Sequence, residues 1–255
     1  MSSLTHDNFH DRPVRPGRRL LPVEVRDVVQ LSPNMKRITV GSSSLSEFAA
    51  VRPAQWVKVF VPSEAEERPN GRAYTIRNFY ERDSEMDLDF VLHDHGPCSI
   101  WARQAKVGDI IQIAGPRTGF RLDPSIRRLF IGGDETALPA IGAIIETMTS
   151  DISVTAFIEV ADIADRQQFV TTANVSVAWF ARAGASAGGH DALQSAMMSV
   201  NITDDASAVW FAAEATVVRE VRRHFQALGL DHRRLTTSGY WKKGETAFRD
   251  AEGDQ

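Results

Sequence analysis

Short apolar runs broken by turn residues fill the first half of the chain, and no helical period is sustained there over several turns. Residues 23–30 and 36–40 flank the turn Ser32-Pro33-Asn34, and residues 57–62, 72–79, 87–93 and 109–114 follow as further strands. Alternation is clearest in Asp87-Leu88-Asp89-Phe90. Six short strands with little helix predict a small closed antiparallel barrel, because closure removes exposed edges. One helix over 99–106 interrupts it. After Arg127 the texture changes to strands alternating with helices, which marks a parallel sheet with crossovers. Strands are predicted over 129–132, 153–160, 175–181, 209–213 and 233–238, and helices over 137–149, 191–200 and 216–228. In the last helix Val218, Val221, Phe225 and Leu228 form a buried stripe, and Arg219, Arg222 and Arg223 read as a solvated face. The expected organisation is a β-barrel domain over 18–124 followed by a Rossmann-like α/β domain over 125–245. The polar first dozen and last ten residues are expected to fray.

Composition narrows the class. With 255 residues, 43% hydrophobic and 24% charged, the chain is globular and long enough for two modest domains. A net charge of -4 leaves no global positive field for nucleic acid or an anionic membrane surface, so an anionic ligand has to meet a local basic cluster. The single cysteine, Cys98, rules out an intrachain disulfide and a cysteine-based zinc or iron-sulfur site, and fits a reducing cytoplasm. The N-terminus lacks the basic-then-apolar order of a signal peptide, and the apolar stretch 129–148 is broken by Gly132, Gly133, Asp134 and Glu135. Cytoplasmic location without membrane insertion is the expectation.

Four segments carry candidate chemistry. In Arg72-Ala73-Tyr74-Thr75-Ile76-Arg77, strand alternation puts Arg72 and Tyr74 on one face and Thr75 on the other. A guanidinium that forks onto phosphate beside an aromatic ring suits a flavin nucleotide, although Arg-x-Tyr in a strand is more often an ordinary cross-strand pair. Gly96-Pro97-Cys98-Ser99 opens the predicted helix, where unpaired N–H groups suit a pyrophosphate; the alternative is a turn with Ser99 as a cap. Gly132-Gly133-Asp134-Glu135-Thr136-Ala137-Leu138-Pro139 joins the first parallel strand to a helix at the carboxyl edge, where such sheets bind ligands, or serves only tight packing. Ser238-Gly239-Tyr240-Trp241-Lys242-Lys243-Gly244 follows the last strand, and its aromatics either cover a ligand ring or close the core.

Together, in this order, these segments closely resemble the siderophore-interacting proteins, or ferric-siderophore reductases, of the ferredoxin-NADP reductase superfamily. The resemblance runs from about Leu20 to Gly244. Its most specific markers are Arg72-Ala73-Tyr74-Thr75, His95-Gly96-Pro97-Cys98-Ser99 with Trp101-Ala102, Gly108-Asp109 with Gly115-Pro116-Arg117, Gly133 through Ile141, and Gly239-Tyr240-Trp241. It implies an FAD barrel followed by an NAD(P) domain. Arg72 would hold the pyrophosphate, Tyr74 would pack on the isoalloxazine, Thr75 would bond near its reactive nitrogen, and Thr136 would approach the nicotinamide. The cofactor-binding set it implies is Arg72, Tyr74, Thr75, Ile76, Arg77, Val91, Leu92, His93, His95, Gly96, Pro97, Cys98, Ser99, Thr136, Ala137 and Trp241. For NAD(P) the set is Gly133, Asp134, Glu135, Thr136, Arg182 and Glu214; Arg182, after the third strand of the second domain, suits a 2′-phosphate or a surface salt bridge equally. Two departures stand out: Cys98 where alanine is usual, and Ala212-Ala213-Glu214 where Ala-Gly-Glu is usual, so that Ala213 adds a methyl where the nucleotide runs close to the backbone.

The implied activity is NADPH- or NADH-dependent reduction of a ferric siderophore. A two-electron donor and a one-electron acceptor need flavin between them, so no catalytic acid, base or nucleophile is expected and no metal site is assigned. Lys58, Arg117, Lys242 and Lys243 are the candidates for a basic mouth that draws in an anionic siderophore. His93-x-His95 lacks an evident third ligand and reads as flavin pocket or loop. Rival readings are a carrier that binds without electron transfer and a general flavin or ferredoxin-type reductase. A monomer is expected.

Overall fold

Along residues 21–25 and 56–60 buried side chains alternate with less buried ones, so these strands have one face that must leave water. In the computed structural model, which describes residues 20–48, 51–62, 71–94, 96–189, 191–202, 204–245 and 248, that requirement is met by closure. Strands β1 (Leu21–Ser32), β2 (Met35–Gly41), β3 (Trp56–Phe60), β4 (Arg72–Tyr80), β5 (Glu85–Val91) and β6 (Ile110–Arg117) form a closed antiparallel barrel in the order β1-β2-β5-β4-β3-β6. Its interior is filled by side chains such as Val25, Ile38, Val59, Leu88, Phe90 and Ile113. Helix α1 (Pro97–Gln104) begins two residues earlier than its sequence pattern predicts, because Pro97 has no N–H to lose and fits the first turn.

The second half forms a five-stranded parallel sheet from β7 (Arg128–Gly133), β8 (Ser153–Val160), β9 (Asn174–Ala181), β10 (Ser207–Glu214) and β11 (Leu235–Trp241), in the order β11-β10-β7-β8-β9. Every residue of β10 is buried, as expected where helices cover both faces. Helix α2 (Leu138–Ile145) covers one face, and α3 (Asp191–Met198) with α4 (Ala215–Ala227) covers the other. Two expectations for α4 are corrected. Leu228 lies just past the helix end and is exposed, and Leu230 takes the buried place beyond it. Arg222 does not point to water but donates from Nε to Thr237 Oγ1 at 2.6 Å, bracing α4 on β11. Among the described residues no helix is long and apolar enough to cross a membrane.

Polar contacts fix the barrel against the sheet. Asp165, in a helical turn after β8, accepts hydrogen bonds from Ser32 Oγ (2.7 Å), Asn34 N (2.9 Å) and Asn34 Nδ2 (2.9 Å) at the β1–β2 turn. Arg77 of β4 donates to Glu146 Oε2 just beyond α2 at 2.7 Å, and its guanidinium lies against Gly142, where a Cβ would sit 2.9 Å from Nε. A side chain at that point of α2 would push the guanidinium aside.

The Asp165 carboxyl is held below the usual carboxylate range: burial opposes this, but the bonds from Asn34 and Ser32 outweigh it. Its stabilising part is complete above the unfolded value of about 4 and is lost as pH falls through the depressed folded value. Asp165→Asn should therefore cost about 1–3 kcal/mol at neutral pH. Urea midpoints of the two proteins should converge below about pH 3.

Candidate functional site

The site grows from β4. Thr75 pairs with Trp56 and Tyr74 with Val57 across the ladder to β3, and successive side chains leave on opposite faces. The Tyr74 ring lies 4.2 Å from Phe90, centroid to centroid, and Phe90 lies 5.6 Å from Trp101 of α1, giving an aromatic ledge at the barrel end. The Tyr74 phenol is hydrogen-bonded to the Cys98 thiol, and burial, reinforced by Cys98, pushes its pKa well up. On the other face the buried Thr75 hydroxyl is bonded to the phenol of Tyr240 on β11. Burial pushes Tyr240 up to about 12; the Thr75 bond works against this and the charge of Asp134 adds to it. Neither phenol ionises near neutrality, so neither is a base. Ile76 packs inside the barrel, Arg72 opens β4 opposite Val59, and Arg77 turns to Glu146.

The loop from β5 leads into the start of α1. Gly96 holds φ at 92°, a left-handed conformation that favours glycine. Pro97 opens the helix and no side chain caps it, so backbone N–H groups face outward at the positive end of the helix. Ser99 is otherwise engaged: its hydroxyl accepts from His93 N (2.8 Å) and donates to His93 O (2.7 Å), which ties the helix start to the strand end. Val91 closes β5, and Leu92 is buried with its N–H on Asn34 O. His95 lies outside the described residues.

The second domain meets this ledge through the β7–α2 turn. A Cβ on Gly133 would fall 2.3 Å from Ala212 O and 2.7 Å from Ala137 Cβ, so packing alone demands glycine there. Asp134, only 1% exposed, accepts at Oδ1 from Thr136 N (3.0 Å) and Thr136 Oγ1 (2.5 Å), and at Oδ2 from Trp241 Nε1 (2.7 Å). The C-terminal Tyr240-Trp241 pair is thereby joined both to β4 and to the turn. Glu214 caps α4, accepting from Thr216 N at 2.6 Å and Val217 N at 3.3 Å, and also takes Lys243 N at 3.2 Å. Arg182 forks onto Glu135 and reaches Glu159. Ala213 is fully buried in the core beneath α3 and α4.

Of the basic candidates, Lys58 shares the outward face of β3 with Trp56, and the Arg117 guanidinium lies 5.7 Å from the centre of the Trp56 ring. Lys242 forms an ion pair with Glu245 that offsets part of its charge. Phe90 and Glu146 are contributors that single-sequence reasoning did not assign, while Tyr240 and Trp101 were named only within the candidate segments and markers. The aromatic ledge, the uncapped α1 and the left-handed Gly96 fit a flavin dinucleotide.

The family match to an FAD-binding domain and the relatives named as reductases make this barrel-and-sheet chain an oxidoreductase. Residues 126–244 match the siderophore-interacting protein family, and residues 24–70 and 63–120 match the siderophore-interacting FAD-binding domain. A siderophore utilization protein from T. fusca has a similar structure, with a TM-score of 0.84 and 31% identity over 91% of this chain and 96% of that one. The ferric vibriobactin reductase ViuB of Vibrio cholerae is 28% identical over 236 residues, 84% of this chain and 86% of its own. The NADPH-dependent ferric-chelate reductase of Escherichia coli is 27% identical over 250 residues, 89% of this chain and 95% of its own. The chain belongs to the siderophore-interacting protein family, and its first half matches that family's FAD-binding domain.

Gly133→Ala should lower stability by about 1–3 kcal/mol, since backbone must move to admit the methyl. Gly189→Ala has nothing within 4 Å to meet and should stay within about 0.5 kcal/mol of the parent protein in thermal unfolding.

Proposed function

We propose that the protein is a ferric-siderophore reductase that draws on NADPH or NADH through FAD. The observation that carries this reading is the convergence of Tyr74-Thr75, Asp134-Thr136 and Tyr240-Trp241 on one junction between barrel and sheet. Arg72 and the start of α1, Gly96 to Ser99, hold the pyrophosphate, the latter through backbone N–H groups. Tyr74 packs on the ring system, Thr75 offers its hydroxyl near the reactive nitrogen, Thr136 approaches the nicotinamide, and Trp241 covers the junction. When bound, FAD accepts electrons in a pair and releases them singly. The remaining work of the chain is placement, exclusion of water by the buried aromatics, and attraction of the substrate.

Siderophores hold Fe(III) with hard oxygen donors and hold Fe(II) far more weakly, so reduction is release. One hydride carries two electrons, and two ferric complexes take one each. NAD(P)H and two Fe(III) thus become NAD(P)+, a proton and two Fe(II). The strip of Trp56, Lys58 and Arg117 on the barrel, with Lys242 and Lys243 from the C-terminal segment, forms the basic mouth for an anionic complex. On this reading the enzyme works as a monomer in the cytoplasm, where the buried Cys98 stays reduced.

The FAD-loaded protein mixed with NAD(P)H, a ferric siderophore and a ferrous-iron chelator should accumulate chelated Fe(II), up to two per NAD(P)H; a carrier gives none. Removing two charges in Lys58→Ala, Lys242→Ala should weaken ferric-siderophore binding roughly 3- to 10-fold at low ionic strength, with the loss shrinking as salt rises. Unchanged affinity at low salt counts against the basic mouth.

A further inference from the structure

The reactive nitrogen of a flavin presents a lone pair when oxidised and an N–H once it has taken up hydride, so a side chain opposite it has to donate in one state and accept in the other. A hydroxyl can do both, provided its own proton has a second place to go. Away from water, that second place is another polar group of the chain.

At Thr75 the second group is Tyr240. The Thr75 side chain is only 7% exposed, and its hydroxyl is bonded to the Tyr240 phenol. An irregularity in β11 brings the phenol there. β11 runs in register with β10 from Leu235 opposite Val209 to Gly239 opposite Ala213, then slips, so that Trp241 stands opposite Glu214 and Tyr240 is the extra residue of a bulge. A bulge re-aims the side chains around it. In a regular strand Tyr240 and Trp241 would leave on opposite faces, yet both reach the junction, Tyr240 at Thr75 and Trp241 Nε1 at Asp134 Oδ2, 2.7 Å away. The Tyr240 ring stands edge-on to the buried Trp210, with centroids 6.4 Å apart and planes at 89°. On the barrel side Thr75 is set by its pairing with Trp56 and by the bond from Ile76 N to Gln55 O at 2.8 Å. Burial keeps the phenol protonated, so it has one O–H to give and lone pairs that accept.

We infer that Tyr240 is a positioning residue for the flavin: through it, the buried Thr75 hydroxyl donates to the oxidised ring and accepts from the reduced one. This rests on the placement of FAD proposed above and deepens it. When Thr75 donates toward the ring, Tyr240 donates to Thr75; when Thr75 accepts from the ring, its own proton turns to the Tyr240 oxygen. Without the phenol the second arrangement leaves a buried O–H unpaired, which weakens the hold on reduced FAD more than on oxidised FAD.

Midpoint potentials of the bound FAD, measured on the full loaded chain against reference dyes, test this without any turnover of iron. Tyr240→Phe keeps the ring and its packing on Trp210, and should retain one FAD per chain. Its potential should fall, by up to about tenfold in the ratio of reduced to oxidised FAD affinity, or about 30 mV for a two-electron couple. Thr75→Ser keeps the hydroxyl and should show the same fall when Tyr240→Phe is added. Thr75→Val removes the hydroxyl, and there the added Tyr240→Phe should change little. An unchanged or raised potential in Tyr240→Phe, an equal fall in the Thr75→Val background, or loss of FAD from a folded Tyr240→Phe chain overturns the proposal. If the unmutated chain retains no FAD, the flavin reading fails together with it. If FAD is retained and its potential does not respond, only the role of Tyr240 fails.

Discussion

A single buried carboxylate, Asp134, holds the two halves of the site in register. Its two oxygens accept from the turn that follows β7 and from the indole of Trp241 at the end of β11. Because Trp241 adjoins Tyr240, and Tyr240 is bonded to Thr75 on the barrel, two hydrogen bonds on adjacent residues link the sheet edge to β4. A buried anion is tolerated only when its acceptor capacity is filled, so removing any donor would leave a costly charge. The dependence is mutual: the turn, the C-terminal aromatics and β4 each complete the others.

Around that chain the fold adds stiffness. Arg77 lies against the glycine of α2 and pairs with Glu146, while Asp165 gathers three donors from the far β1–β2 turn. These contacts act at separate points of the barrel–sheet interface, which resists rotation better than a single contact. A rigid junction suits electron transfer through a cofactor, where distance and orientation are supplied by the protein and the chemistry by the ring. The two junction tyrosines, driven upward by burial, stay neutral and act through shape and hydrogen bonding.

Much of this was legible in the sequence because the signals are local. Period-two alternation marked the barrel strands and placed Tyr74 and Thr75 on opposite faces, and the change of texture after Arg127 marked the parallel sheet. Helix ends were less legible: Leu228 continues the stripe of α4 by spacing, yet the helix stops at Ala227 and the residue turns to water. Arg222 looked like surface and braces β11. Least legible were partners far apart along the chain. Nothing in the vicinity of Ser32 announces Asp165, and Arg182 gave no local sign that Glu135 and Glu159 would fill its fork. The roles of Arg72, Gly96 and Thr136 toward cofactors came from family resemblance, which the match over both halves of the chain supports.

The proposed function requires an isoalloxazine ring seated at the junction of barrel and sheet. The most direct measurement is the visible spectrum of the purified protein after loading with excess FAD and removal of unbound cofactor. A yellow protein retaining close to one FAD per chain, with its tryptophan fluorescence quenched relative to the unloaded form, is the expected result. A protein that emerges colourless contradicts it.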